Sequence, residues 1–206
     1  RRRDGGRSGR MTTARKDRTA VSLFSNCGAG DVGFAEAGFG FRVLAEIERH
    51  RLRVAGLNHQ GAAAVWGDLR DSWQDVVDQF RSVTSDRPDL LAACPPCQGM
   101  STARRDRGPD HDAAAGARDG RNLLVVPIAK VAEALEPRAI VVENVPAFLT
   151  RQVPHPETEE GISAARLLVS LLADDYEVFP LLTDLADYGV PQHRKRTFLT
   201  FLRRDE

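Results

Sequence analysis

With 206 residues, 42% of them hydrophobic, and acidic and basic side chains in equal number, the chain can fill one core but is too small for two ordinary domains. No apolar run approaches membrane-spanning length, the basic start lacks the apolar segment of a secretory signal, and three cysteines are too few for a disulfide scaffold or a four-ligand structural zinc site. A reducing cytoplasm fits best, and Arg outnumbers Lys 26 to 3, as a GC-rich bacterial genome would favour.

The charge is uneven. Residues 1–18 hold eight Arg or Lys against two Asp, are rich in Gly and Ser, and show no hydrophobic period. They read as a disordered basic tail, one that touches phosphate or is leader sequence ahead of a start at Met11, with a single domain over 19–206.

The domain opens with a strand over 20–25 that runs into Gly28-x-Gly30-x-x-Gly33. Between a strand and a helix this spacing suits a nucleotide-bearing cofactor lying over the helix N-terminus, NAD being the first candidate. A tight glycine turn made only for packing is the plain alternative. A second strand, 41–46, ends in Glu46, where a doubly wound fold hydrogen-bonds ribose hydroxyls, although many strand ends carry a solvated acid. A helix over 47–60 and a short strand over 62–66 lead to Gly67-Asp68-Leu69. Asp68 could accept from an adenine amino group, or simply cap the helix over 71–80, whose Trp73, Val76, Val77 and Phe80 share one face.

The fourth strand, 89–93, delivers Cys94-Pro95-Pro96-Cys97-Gln98-Gly99 to the carboxyl edge of the sheet, where open α/β sheets place their chemistry. Consecutive prolines hold the backbone stiff before Cys97, which suits a nucleophile. A Cys94/Cys97 redox pair and two buried apolar fillers compete with that reading. The polar loop over 100–120 is long enough to be functional or disordered, and its Arg104, Arg105 and Arg107 either bind phosphates or are merely solvated. A helix with Leu124, Ile128, Val131 and Leu135 on one face follows, its early turns kinked at Pro127. A strand over 138–142 presents Glu143-Asn144-Val145-Pro146. A helix over 162–173 and a strand over 176–182 come next. The connection 183–196 has no helical period, so a last strand over 197–202 returns antiparallel. The fold class is α/β, a three-layer doubly wound sheet of about seven strands with the last reversed.

In this order the pieces resemble the DNA (cytosine-5-)-methyltransferase family over about residues 20–202. The resemblance rests on Phe24 through Gly28, Glu46, Gly67-Asp68, Pro96-Cys97-Gln98, Arg121-Asn122, Glu143-Asn144-Val145 and Gln192-His193-Arg194-Lys195-Arg196. It displaces NAD and the redox dithiol in favour of S-adenosylmethionine. It implies that Phe24 stacks on adenine, Glu46 holds ribose and Asp68 meets the adenine amino group, with Asn26, Cys27, Gly28, Gly30, Ile47, Leu69, Pro95 and Asn122 completing the cofactor set. Asn26 stands where the family usually has glycine, as the most tolerable substitute at positive φ.

The implied catalytic residues are Cys97 as nucleophile at carbon 6 of a flipped cytosine, Glu143 as proton donor at ring nitrogen 3, Arg196 beside the carbonyl oxygen, and Arg194 ordering the region or contacting phosphate. The implied partner is duplex DNA, in the manner of a restriction-modification methylase, with no metal and no membrane. The family continues beyond Arg196 with a target-recognition region, so a fragment, a split enzyme with a partner subunit, or an inactive remnant all fit. A tRNA cytosine-5 methyltransferase and a non-catalytic S-adenosylmethionine-binding subunit are the alternatives.

Overall fold

The computed structural model describes residues 18–96, 123–156 and 158–206. Its strands are β1 (Arg18–Leu23), β2 (Phe39–Glu46), β3 (Ala63–Trp66), β4 (Leu90–Ala93), β5 (Ala139–Asn144), β6 (Gln152–Pro154), β7 (Gly161–Ser163), β8 (Tyr176–Asp184) and β9 (Lys195–Arg203). Between them lie α1 (Ala29–Glu36), α2 (Arg49–Asn58), α3 (Leu69–Val83), α4 (Val125–Leu135) and α5 (Ala164–Leu172). Arg18, counted above with the basic tail, lies in β1.

The main sheet has the order β3-β2-β1-β4-β5-β9-β8, with β9 antiparallel to both neighbours, as the missing crossover helix predicts. The chain winds outward from β1 to β3, then restarts beside β1 with β4 and proceeds the other way. The carboxyl ends of β1 and β4 therefore flank the topological switch point, where such sheets open a crevice. The four residues of β4 and the last four of β1 are buried, as central parallel strands covered on both faces must be.

One face carries α3, α4 and α5 over a core that includes Phe80, Ile128, Leu135, Leu167 and Leu168, all fully buried. The α3 face matches its apolar spacing, except that Trp73 is only partly buried. The other face carries a smaller cluster around Phe41, Leu44, Leu52 and Ala55.

One expectation changes and one element is new. Pro127 is the third residue of α4, inside the first turn, where its missing N–H has no intrahelical acceptor to lose and no kink is called for. The antiparallel β6–β7 pair, three residues per strand, is too short to leave a period-2 signal. The loop over 100–120 lies outside the described residues, as does nearly all of the basic tail.

Candidate active site

At the switch point a cavity of about 550 Å³ is lined by the carboxyl ends of β1 to β5 with the turns that follow them, and by Arg194 and Arg196 at the start of β9. Phe24, Asn26, Glu46, Ile47, Asp68 and Leu69 form one end; Pro95, Glu143, Arg194 and Arg196 form the other. Ten of the residues singled out in the sequence thus share one crevice. Cys97 and Asn122 lie outside the described residues, and Cys27, Gly28 and Gly30 shape the neighbouring turn rather than line the cavity.

The turn after β1 is built from unusual backbone. Phe24 and Asn26 have φ of 56° and 50°, so the asparagine does occupy a left-handed position. Gly28, at φ 75°, is sterically required, since a Cβ there would come within 2.9 Å of the His59 ring. A Cβ at Gly30 or Gly33 would meet nothing within 4 Å, so only one glycine of the apparent fingerprint is demanded by geometry. The turn is also held from below. Asn58 Nδ2 donates to the Cys27 carbonyl at 2.7 Å, and His59 Nε2 lies 2.9 Å from the Gly28 carbonyl. Under it, burial pushes the Asp31 carboxyl up, against a 2.7 Å hydrogen bond from the Ser22 hydroxyl. No motif marks Asn58, His59 or Asp31.

Glu46 is 7% exposed, and both its oxygens already accept backbone N–H groups, from Asn26 at 2.9 Å and Glu48 at 3.0 Å. Its orientation is therefore fixed before any ligand arrives, with lone pairs left over for a diol. Asp68 is engaged differently: it caps α3 by accepting from the Arg70 N–H at 2.9 Å and pairs with the Arg70 guanidinium, whose Nη2 lies 2.5 Å away. Arg70, first by this hydrogen bond, holds the Asp68 carboxyl below the usual range. An adenine amino group at Asp68 would share that carboxylate with Arg70.

At the other end, Arg196 Nε lies 2.7 Å from Glu143 Oε1, with the two side chains 14% and 28% exposed. The Cys94 thiol donates to Glu143 Oε2 at 2.9 Å. Asn144 is buried, and its Nδ2 donates to the Pro95 carbonyl at 3.0 Å while its Oδ1 accepts from the Val145 N–H at 2.8 Å. This side chain bolts the turn that leads to Cys97 onto the turn that carries Glu143.

Asp184, at the end of β8, folds the segment between β8 and β9. It accepts from the Arg194 N–H at 2.8 Å and the Ala186 N–H at 3.2 Å, and pairs with the His193 ring at 3.0 Å. Those amides, Arg194 first, hold its carboxyl below the usual range. A depressed folded pKa gives stability that is present above the unfolded value and lost as pH falls through the folded one. Protection of the Arg194 and Ala186 amides against exchange, relative to a free peptide at the same pH, should therefore fall as pH drops below the ordinary aspartate range. Unchanged protection there would remove Asp184 as the organiser of the turn. The sequence marks Cys94 only as half of a redox pair or a filler, marks Asn144 only as part of a motif and does not mark Asp184, because each acts through a partner 10 to 49 positions away.

Among the described residues no His, Cys, Asp or Glu group is placed to hold a metal ion, and no helix is long and apolar enough to cross a membrane.

The family described as C-5 cytosine-specific DNA methylase matches residues 18–206. Type II methyltransferase M1.HgaI of Avibacterium volantium is 30% identical over 186 residues, 90% of this chain and 50% of that protein. M.AquIA of Picosynechococcus sp. is 28% identical over 89% of this chain and 71% of its own length. The solved structure of Entamoeba histolytica methyltransferase EhMeth superposes with a TM-score of 0.66 at 16% identity, over 91% of this chain and 53% of that one. The chain thus spans about half the length of M1.HgaI.

Proposed function

The chain belongs to the C-5 cytosine-specific DNA methylase family, and we propose that it is the catalytic part of an S-adenosylmethionine-dependent enzyme that methylates carbon 5 of cytosine in duplex DNA. The observation that carries this reading is one crevice with the buried, hydrogen-bonded acid Glu46 at one end and the Glu143–Arg196 pair at the other.

The donor set suits the cofactor. Glu46 offers a fixed carboxylate to two ribose hydroxyls, and Phe24, Ile47 and Leu69 give apolar surface for adenine. When bound, S-adenosylmethionine supplies an electrophilic methyl group. Replacing Glu46 by Ala should weaken its binding by roughly 10- to 100-fold, the range for a charged hydrogen bond. Calorimetry that finds unchanged affinity would place the ribose elsewhere.

Carbon 5 of cytosine is too weakly nucleophilic to take a methyl group unaided. Addition of the Cys97 thiolate to carbon 6 makes carbon 5 enamine-like. The ring then needs a proton at nitrogen 3 and a cation near its carbonyl oxygen, roles assigned to Glu143 and Arg196. A carboxylate that accepts from Arg196 and Cys94 must gain a proton to donate one, so base entry is coupled to proton uptake and to a shift of Arg196. After methyl transfer the carbon-5 proton passes to water or a basic group, the 5,6 double bond re-forms as the Cys97 thiolate leaves, and nitrogen 3 returns its proton to Glu143. The base reaches the crevice only by leaving the duplex stack.

Duplex DNA containing 5-fluorocytosine tests the reading, because fluorine blocks the elimination step. With S-adenosylmethionine present, a covalent complex should survive denaturing electrophoresis. Trapping of 5-fluorocytosine-substituted tRNA in place of DNA would move the substrate to tRNA, and cofactor binding with neither complex would leave a binding subunit.

A further inference from the structure

The paired register Ala93↔Val142 makes the next residues of the two parallel strands, Cys94 and Glu143, neighbours on one face. On the other side β9 pairs Phe198 with Glu143, which sets Arg196 two residues along on that same face. The carboxyl of Glu143 therefore lies between two donors carried by adjacent strands, Arg196 Nε at 2.7 Å on Oε1 and Cys94 Sγ at 2.9 Å on Oε2. The Cys94 backbone is fixed as well, its N–H donating to the Leu23 carbonyl at 3.2 Å.

We propose that Cys94 is a positioning residue for Glu143, holding Oε2 so that the carboxyl plane stays in place when Arg196 shifts toward the base. The proposal rests on the function argued above for its catalytic consequence, but the contact itself does not. Thiol and guanidinium are unequal partners. Arg196 is a charged donor whose guanidinium the reaction redirects, whereas a neutral thiol has no competing demand from the base and can remain. This gives the first cysteine of Cys94-x-x-Cys97 a use that is neither redox chemistry nor filling. A hydroxyl at the same position could make the same bond, and a methyl group could not.

Infrared spectra of the whole chain test the contact. The S–H stretch assigned to Cys94 by its loss in Cys94→Ser should lie below that of Cys27, and should move up in Glu143→Ala. A band indifferent to Glu143→Ala overturns the proposal. In the 5-fluorocytosine assay, Cys94→Ala should slow covalent trapping roughly tenfold, the size of one hydrogen bond to a charged group, and Cys94→Ser should restore it. Cys94→Ala trapping as fast as wild type also overturns it. If wild type forms no complex, the proposed function fails, and the S–H band alone then decides whether Cys94 holds Glu143.

Discussion

Cys97→Ser is expected to reduce methyl transfer to DNA by on the order of 10³-fold or more while leaving S-adenosylmethionine affinity unchanged. The expectation follows from chemistry and from the mount. A serine hydroxyl is not ionised at neutral pH and lacks the intrinsic nucleophilicity of a thiolate, so carbon 6 would not be attacked. The mount is described up to Pro96: Pro95 is buried, its carbonyl held by Asn144 at 3.0 Å, and two fixed φ angles lead directly to Cys97. The turn meets the strand that carries Phe24 through the Cys94 N–H bond to the Leu23 carbonyl, a backbone contact that Cys97→Ser leaves in place, so binding and chemistry should separate. Single-turnover transfer of a labelled methyl group, alongside calorimetry of the cofactor, reads both. The comparison variant is Cys94→Ala, for which only about a tenfold slowing is expected from one lost hydrogen bond. If the two losses came out reversed, the nucleophile would be Cys94 and the Pro-Cys-Gln alignment would be misleading.

Much of the fold was legible because its signals are local. Strand β4 is a short apolar run bounded by prolines, and the reversed direction of β9 followed from the absence of any helical period between it and β8. The candidate site residues that could be read were those at the ends of such runs, Glu46 at the end of β2 and Glu143 near the end of β5. Pairing across the sheet was not legible. That Glu143 meets Cys94 on one side and Arg196 on the other depends on strand order and register, which bring together positions 49 and 53 residues apart from Glu143. The glycine spacing misled in a different way. Gly28 is required by φ and by the His59 ring, but Gly30 and Gly33 fall in α1 with open space around them, so a three-glycine pattern reported one real constraint. Asp68 shows a third limit: cap and ligand-binding readings were posed as alternatives, yet a carboxylate at the start of α3 lines the crevice while it caps the helix.

Glu143→Gln and Arg196→Met are each expected to lower methyl transfer by about 10²- to 10³-fold, the usual scale for removing one group that stabilises developing charge. The informative quantity is the double variant. Because Arg196 Nε sits 2.7 Å from Glu143 Oε1, each side chain also sets the other's position, and residues that act as a unit do not lose activity additively. Arg196→Met leaves Glu143 with Cys94 as its side-chain partner among the described residues, beside a developing charge it was meant to share. Glu143→Gln leaves Arg196 facing a neutral amide, still placed but with no acid to deliver a proton. Once either is gone the other's contribution is largely spent, so the double variant should be little slower than the worse single one. Stability should change much less than rate, since a pair with Glu143 28% exposed is screened by solvent and is worth about 1 kcal/mol or less. Rapid-quench kinetics and thermal denaturation of the four proteins complete the cycle. Fully multiplicative rate losses would mean that Glu143 and Arg196 serve the base independently, and that their ion pair is a resting contact with no part in how the crevice handles nitrogen 3.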